Sequence, residues 1–242
     1  MTASEFFRGM LRDRTLPMLA MANFVNILIA TQLGYGFATQ VWVYLCQSVI
    51  IGIFNFRRIL LMRPSEETIA RWDRESAQAY RDMKTEGGPQ DWLLPKTADD
   101  YVRWQHWTPG TPKVFAGIFL AHFGLFHLIY IFSLSSRHFS MIPGTSLAEA
   151  DPLGVAAGAL IFLVFHAWSF RTQRREMERP FTSDYAMPKA MFLPYARVLP
   201  IHLSAVFFAG NAFMAFLIIK ALVDIAAHVV ELAWRRSLSY ED

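Results

Sequence analysis

VLPIHLSAVFFAGNAFMAFLIIKALVDIAAHVVELAW, residues 198–234, decides how this chain is threaded. As one helix it would reach about 55 Å at 1.5 Å per residue, against a bilayer hydrocarbon core of about 30 Å. Gly210-Asn211 is a turn-compatible pair inside it. Dividing there leaves a short span and a second span over 213–234. The competing division keeps one span over 201–219 and lets the rest leave the membrane as a helix. Four more apolar blocks precede this region, over 16–33, 38–56, 114–134 and 153–170. Their lengths, in a chain that is 54% hydrophobic, predict an all-α, polytopic transmembrane bundle of about six spans. No small-residue cleavage site follows the first block, which therefore reads as a retained span.

Charge orients the threading. Arg8, Arg12 and Arg14 precede the first span; Arg57, Arg58 and Arg63 follow the second. Lys113 precedes the third, and Arg171, Arg174, Arg175 and Arg179 follow the fourth. Arg197 opens the fifth, and Arg235 and Arg236 follow the sixth. The loops over 34–37 and 135–152 hold only Arg137 as a strong base. The positive-inside rule then puts both termini and both basic loops in the cytoplasm, as expected for a multi-pass protein of the cell's inner membrane. With five spans Arg235 and Arg236 would fall outside, so the charges also favour six.

Three regions follow: an N-terminal transmembrane hairpin (1–63), a cytoplasmic segment (64–112) and a four-span histidine-bearing bundle (113–242). In the middle region SEETIARWDRESAQAYRDMKTEGG, residues 65–88, predicts an amphipathic helix from Ser65 to the Gly87-Gly88 stop. Trp92, Trp104 and Trp107 suit the headgroup level. The segment is too short for an independent catalytic domain. A single cysteine, Cys46, excludes a disulfide framework and a cysteine-based zinc or iron–sulfur site. No phosphate loop or basic-aromatic surface points to nucleic acid. The partners expected are the lipid bilayer and either a second copy or another membrane-complex subunit.

Ionisable residues inside a span are expensive and normally face the bundle interior. Counting along each helix from its cytoplasmic end at 1.5 Å per residue, His166 and His202 lie about 8 Å in, His228 about 10 Å and His122 about 14 Å. Asp224, Gln47 and Asn23 come out near 15 Å. Residues from all six spans thus share one slab. On the last helix Lys220, Asp224, His228 and Glu231 are spaced four, four and three, which puts them on one face. Asp224 can orient the His228 imidazole or share a metal with it, and Lys220 can pair with Asp224. His127 lies about 140° around the helix from His122, so it reads as a separate hydrogen-bonded residue. His166 reads either as part of the slab or as an imidazole snorkelling to the interface. His106 and His138 lie in loops and carry no signal.

Neutral imidazoles with a carboxylate suit a transition metal, zinc, copper or iron. His122, His202, His228 and Asp224 are the expected ligands, with Gln47, His127, His166, Arg197, Lys220 and Glu231 in support. An open coordination position would make the site a metal-dependent membrane enzyme. Competing readings are a non-catalytic accessory or assembly subunit, a b-type haem protein with Phe119, Phe165 and Phe207 along the slab, and a proton or ion path through Lys220, Asp224, His228 and Glu231.

The runs WVYLCQSVIIGIFNFRR (42–58), AHFGLFH (121–127), PYARVLPIHLSAVFFAG (194–210) and IIKALVDIAAHVVE (218–231) resemble an uncharacterised family of prokaryotic polytopic membrane proteins, a domain of unknown function. The likeness runs from the second span to the sixth and lies in the order and spacing of the motifs. It implies that His122, His127, Arg197, His202, Asp224, His228 and Glu231 recur as a set. Members of that family tend to carry glutamate where this chain has Gln47. The resemblance implies no activity.

Overall fold

The computed structural model describes residues 13–85, 95–106, 108, 110–135, 147–207 and 213–237. Among them are eight α-helices: α1 (Thr15–Gln32), α2 (Phe37–Leu61), α3 (Glu66–Thr85), α4 (Ala98–Gln105), α5 (Thr111–Ser135), α6 (Pro152–Met177), α7 (Ala186–Phe207) and α8 (Phe213–Ser237). A short 3-10 turn, Leu147–Glu149, precedes α6. Five helices are long and apolar enough to cross a membrane: α1, α2, α5, α6 and α8 as far as Ala233. The protein is a helical, multi-pass membrane bundle.

The long apolar region does divide into two helices, between Phe207 and Phe213; the Gly210-Asn211 pair itself lies outside the described residues. Helix α7 starts at Ala186 rather than near 198, and it is not among the five apolar spans. Lys189, Arg197, His202 and three prolines dilute it. It nevertheless runs through the bundle, because Ile201 and Ala205 pack with Ala30 and Ala38 beside the α1–α2 turn.

Helix α2 is the axis. Of its most apolar window 67% is buried, against 28–33% for the other four spans. It contacts α5, α6 and α7, while α1 packs on α6 and α8 and α7 packs on α8. Side chains such as Leu128, Phe132, Leu163, Leu222 and Val230 are exposed on the outer helices, as expected of a lipid-facing surface. Gly154 and Gly158 bring α6 close to α2: a Cβ at Gly154 would lie 2.8 Å from Thr39 and Tyr35, and one at Gly158 2.6 Å from Val43. Close approach through small residues four apart is how spans associate when lipid is as apolar as their side chains. Asp151 starts α6 by accepting from the Leu153 and Gly154 amides, with Pro152 in the first turn.

The antiparallel threading brings the basic ends together. The chain after α2 pairs with the chain before α7, through Ser65 N to Phe181 O and Phe181 N to Arg63 O, each 2.9 Å. Thr15 at the start of α1 accepts from Gln173 near the end of α6 and bonds His228 near the end of α8. The start of α1 and the end of α8 therefore share one end of the bundle with both basic loops. Ser65 Oγ accepts from the Thr68 amide at the start of α3, the helix read from residues 65–88. Gly87-Gly88, Trp92, Trp107, Arg137 and His138 lie outside the described residues, as does the Trp104 side chain. Helices α3 and α4 pack on each other, with Tyr80 against Tyr101 and His106 hydrogen-bonded to Asp73. Arg71 and Trp72 tie α3 to Asp184, just before α7.

Pro194 sits inside α7. It has no N–H, so the carbonyl four residues earlier loses its helical donor. That carbonyl, Ala190 O, instead accepts from Asn55 Nδ2 of α2 at 2.9 Å. Asn55→Leu should therefore strand a buried carbonyl and cost about 1–3 kcal/mol. A lowered melting temperature in detergent checks this, with unchanged far-ultraviolet dichroism at room temperature as the control.

Candidate functional site

The charged face of α8 turns inward as its spacing predicts. Lys220, Asp224 and His228 are each 3% exposed or less. Asp224 Oδ2 accepts from Gln47 Nε2 at 2.9 Å and pairs with Lys220 Nζ at 3.1 Å. Lys220 Nζ also donates to Asn23 Oδ1 of α1 at 2.8 Å and lies 3.9 Å from the centre of the Phe162 ring. Arg197 from α7 stands between the two carboxylates of α8, 3.8 Å from Asp224 and 3.8 Å from Glu231. Arg58 closes the series by donating to Glu231 Oε1 at 2.9 Å. A continuous file of amides and ion pairs thus runs from mid-bundle to the basic end, built by α1, α2, α7 and α8. Three basic side chains, Lys220, Arg197 and Arg58, thus face two acidic ones, Asp224 and Glu231.

The profile of a family of unknown function, DUF6498, matches residues 6–240. The chain belongs to that family. Of the curated proteins and the solved structures, none matches it. Membership in DUF6498 bears out the resemblance to a domain of unknown function and brings no activity with it.

The imidazoles do not converge. His122 is exposed on the outer face of α5, with Nδ1 2.6 Å from Tyr195 OH. His202 faces α2 and α5: its Nδ1 lies 2.8 Å from both Tyr44 OH and Val198 O, under the Tyr130 ring. His228 faces the start of α1, with Nε2 2.8 Å from Thr15 Oγ1 and 3.2 Å from Asp13 Oδ2. Asp224 pairs with Lys220, Gln47 and Arg197, so it does not orient His228. The structure does not bring His122, His202, His228 and Asp224 together. Among the described residues no three of His, Cys, Asp and Glu are grouped to hold a metal ion. The physical reason is that counting along a helix fixes height but not direction, and the three rings point to three sides. Nor are the three phenylalanines one surface: Phe207 is exposed, and Phe119 and Phe165 belong to separate packing clusters.

Other expectations hold. Lys220 pairs with Asp224. His127 is a separate hydrogen-bonded residue, with Nε2 2.7 Å from Ser48 Oγ and Nδ1 2.8 Å from Phe123 O. His166 does not snorkel: it is buried among Phe54 and Phe165. Outside the spans, Asp13 caps the α1 amide of Thr15. Burial works against its charge, but the bonds from His228 and Thr15 outweigh that and hold its carboxyl down at about 2.

A cavity of about 70 Å³ adjoins the network at the basic end, between α2, α6, α7 and α8. That exceeds the roughly 10–15 Å³ a single water needs. Its walls include Asn55, Arg58, His166, Gln173, Arg197 and Glu231. In the sequence Arg58 reads as a charge flanking the second span, and Asn55 and Gln173 are inconspicuous. A signal was present on α2, where Gln47, Ile51, Asn55 and Arg58 recur at helical spacing.

Proposed function

We propose that this membrane protein binds a small polar solute or ion within the bilayer, in the cavity that meets its buried ion-pair file. It sits in the inner membrane with its basic end in the cytoplasm, on the strength of its arginine distribution. The carrying observation is the Lys220–Asp224–Arg197–Glu231–Arg58 series, drawn from three helices and largely buried. Buried ion pairs are poor stabilisers, since apolar side chains of similar volume serve a fold as well or better. A bundle that needed only glue, as an accessory subunit does, could use neutral hydrogen bonds. Ionised groups inside a span instead mark solute and ion pathways. Binding fits better than a proton relay along α8: Arg197 intervenes between Asp224 and Glu231, and a guanidinium does not release its proton. His228, moreover, is turned toward α1.

The test is the melting temperature of detergent-purified protein against inorganic anions, alkali and transition-metal cations, carboxylic acids and neutral polyols. A solute held in the cavity adds about 2.7 kcal/mol at one hundred times its dissociation constant. For a chain of this size that is a rise of about 5–10 °C. If no class of solute moves the transition, the file only holds helices together and the proposal fails.

A further inference from the structure

On the cavity wall His166 Nε2 is buried without a partner among the described residues, and Arg197 beside it makes only long ion pairs. Arg197 is 6% exposed, and its guanidinium lies between two carboxylates. Its contacts with Asp224 and Glu231, both 3.8 Å, are ion pairs too long for direct hydrogen bonds. His166 is 9% exposed, and its Nε2 is buried with no partner. Both line the same cavity. A guanidinium presents five N–H donors in a planar fork, and an imidazole adds another donor. Donors left unmade in a buried place are costly, and ordinarily a bound molecule accepts from them.

We propose, as a refinement of the solute-binding reading on which it rests, that the cavity takes a small oxyanion, a carboxylate or phosphate group, held by Arg197 with His166. The chemistry of the wall selects this class. Arg58 and Arg197 face in, and Glu231 is the one carboxylate among the lining residues described. A cation there would meet two guanidiniums, and a neutral solute would leave the fork without a charged acceptor. A planar carboxylate or a phosphate matches the fork with two parallel bonds. Gln173 and Ser169 add neutral polar groups, and Phe54, Phe165 and Phe170 give the rest of the wall an apolar surface. That surface admits an organic acid as readily as the bare ion.

The experiment titrates inorganic phosphate and acetate into the full-length protein in non-ionic detergent, with chloride at equal ionic strength as the reference, reading melting temperature and calorimetric heat. Phosphate or acetate binds saturably while chloride does not. Arg197→Gln weakens the binding about tenfold or more, and Arg197→Lys, which keeps charge without the fork, also weakens it. His166→Leu weakens it less and serves as the independent variant if Arg197→Gln fails to fold. A second arm repeats the titration in phosphatidylcholine nanodiscs with and without phosphatidylglycerol. Competition by the anionic lipid identifies a headgroup as the source of the oxyanion, and its absence identifies a soluble acid; the assignment stands in both. Unchanged affinity in folded Arg197→Gln overturns it. So does a protein that binds a cation or polyol but neither oxyanion, and in that case the broader solute-binding reading survives. If no solute of any class binds, both fall.

Discussion

Lys220→Met lowers the stability of the detergent-solubilised protein by about 3 kcal/mol, and adding Asp224→Leu recovers at least half of the loss. The single change removes the ammonium 3.1 Å from Asp224 and leaves a carboxylate that is 0% exposed. Gln47 and the more distant Arg197 remain beside it, which keeps the cost near the low end of the usual 3–5 kcal/mol for breaking a buried pair. The double change takes both charges out of the apolar interior, and the methionine keeps the packing against Phe162. Asn23 and Gln47 lose partners in the double variant, so recovery is incomplete. The readout is thermal unfolding by tryptophan fluorescence, with a drop of about 6–12 °C for Lys220→Met alone. A single variant as stable as the parent, or a double variant worse than the single, would show that Asp224 is not held as an ion pair.

Gly158→Leu separates α2 from α6 and costs about 3 kcal/mol or more. Even a lone Cβ at this position would lie 2.6 Å from both methyls of Val43 and 3.2 Å from Asn26 Oδ1. Val43 is 1% exposed and β-branched, so it has no rotamer into which it can retreat. Asn26 is itself committed to Gln40 Oε1 at 2.9 Å. The helices must part, and the contacts that hold α2 at the axis weaken together. Gly124→Ala is the control. Nothing lies within 4 Å of a Cβ there, so the change should stabilise by about 0.5–1 kcal/mol through helix propensity alone. Heating both variants in detergent and measuring the fraction that stays monodisperse separates them. Equal behaviour would mean that α6 does not pack through its glycines.

The inward face of α8 was legible because four polar residues recur at helical spacing within an apolar run, and a helix allows only one side to leave lipid. The glycine pair on α6 was equally available from spacing, but it carries meaning only once a partner helix is known to approach. The role of Asn55, unlike its place on the polar face of α2, could not be found locally, since its partner is a carbonyl freed by a proline 139 residues later. Arg197 looked like the start of a span. In the fold it lies near the middle of α7, which begins at Ala186 and continues through Pro194.

Hydrophobic lengths and arginine placement by themselves determined a polytopic helical bundle whose basic ends gather on one side, because a backbone in lipid must satisfy its own hydrogen bonds and a guanidinium resists crossing. Rise per residue also set the spacing of polar residues along each helix, but where a helix begins, as at Ala186 for α7, was left to the fold. Only the tertiary structure decided direction: the rotation of each helix about its own axis turned His122 to lipid, His202 to α2 and α5, and His228 to α1. That rotation is fixed by packing such as Gly158 on Val43 and by long-range bonds such as Lys220 to Asn23, neither of which is encoded at the histidines themselves.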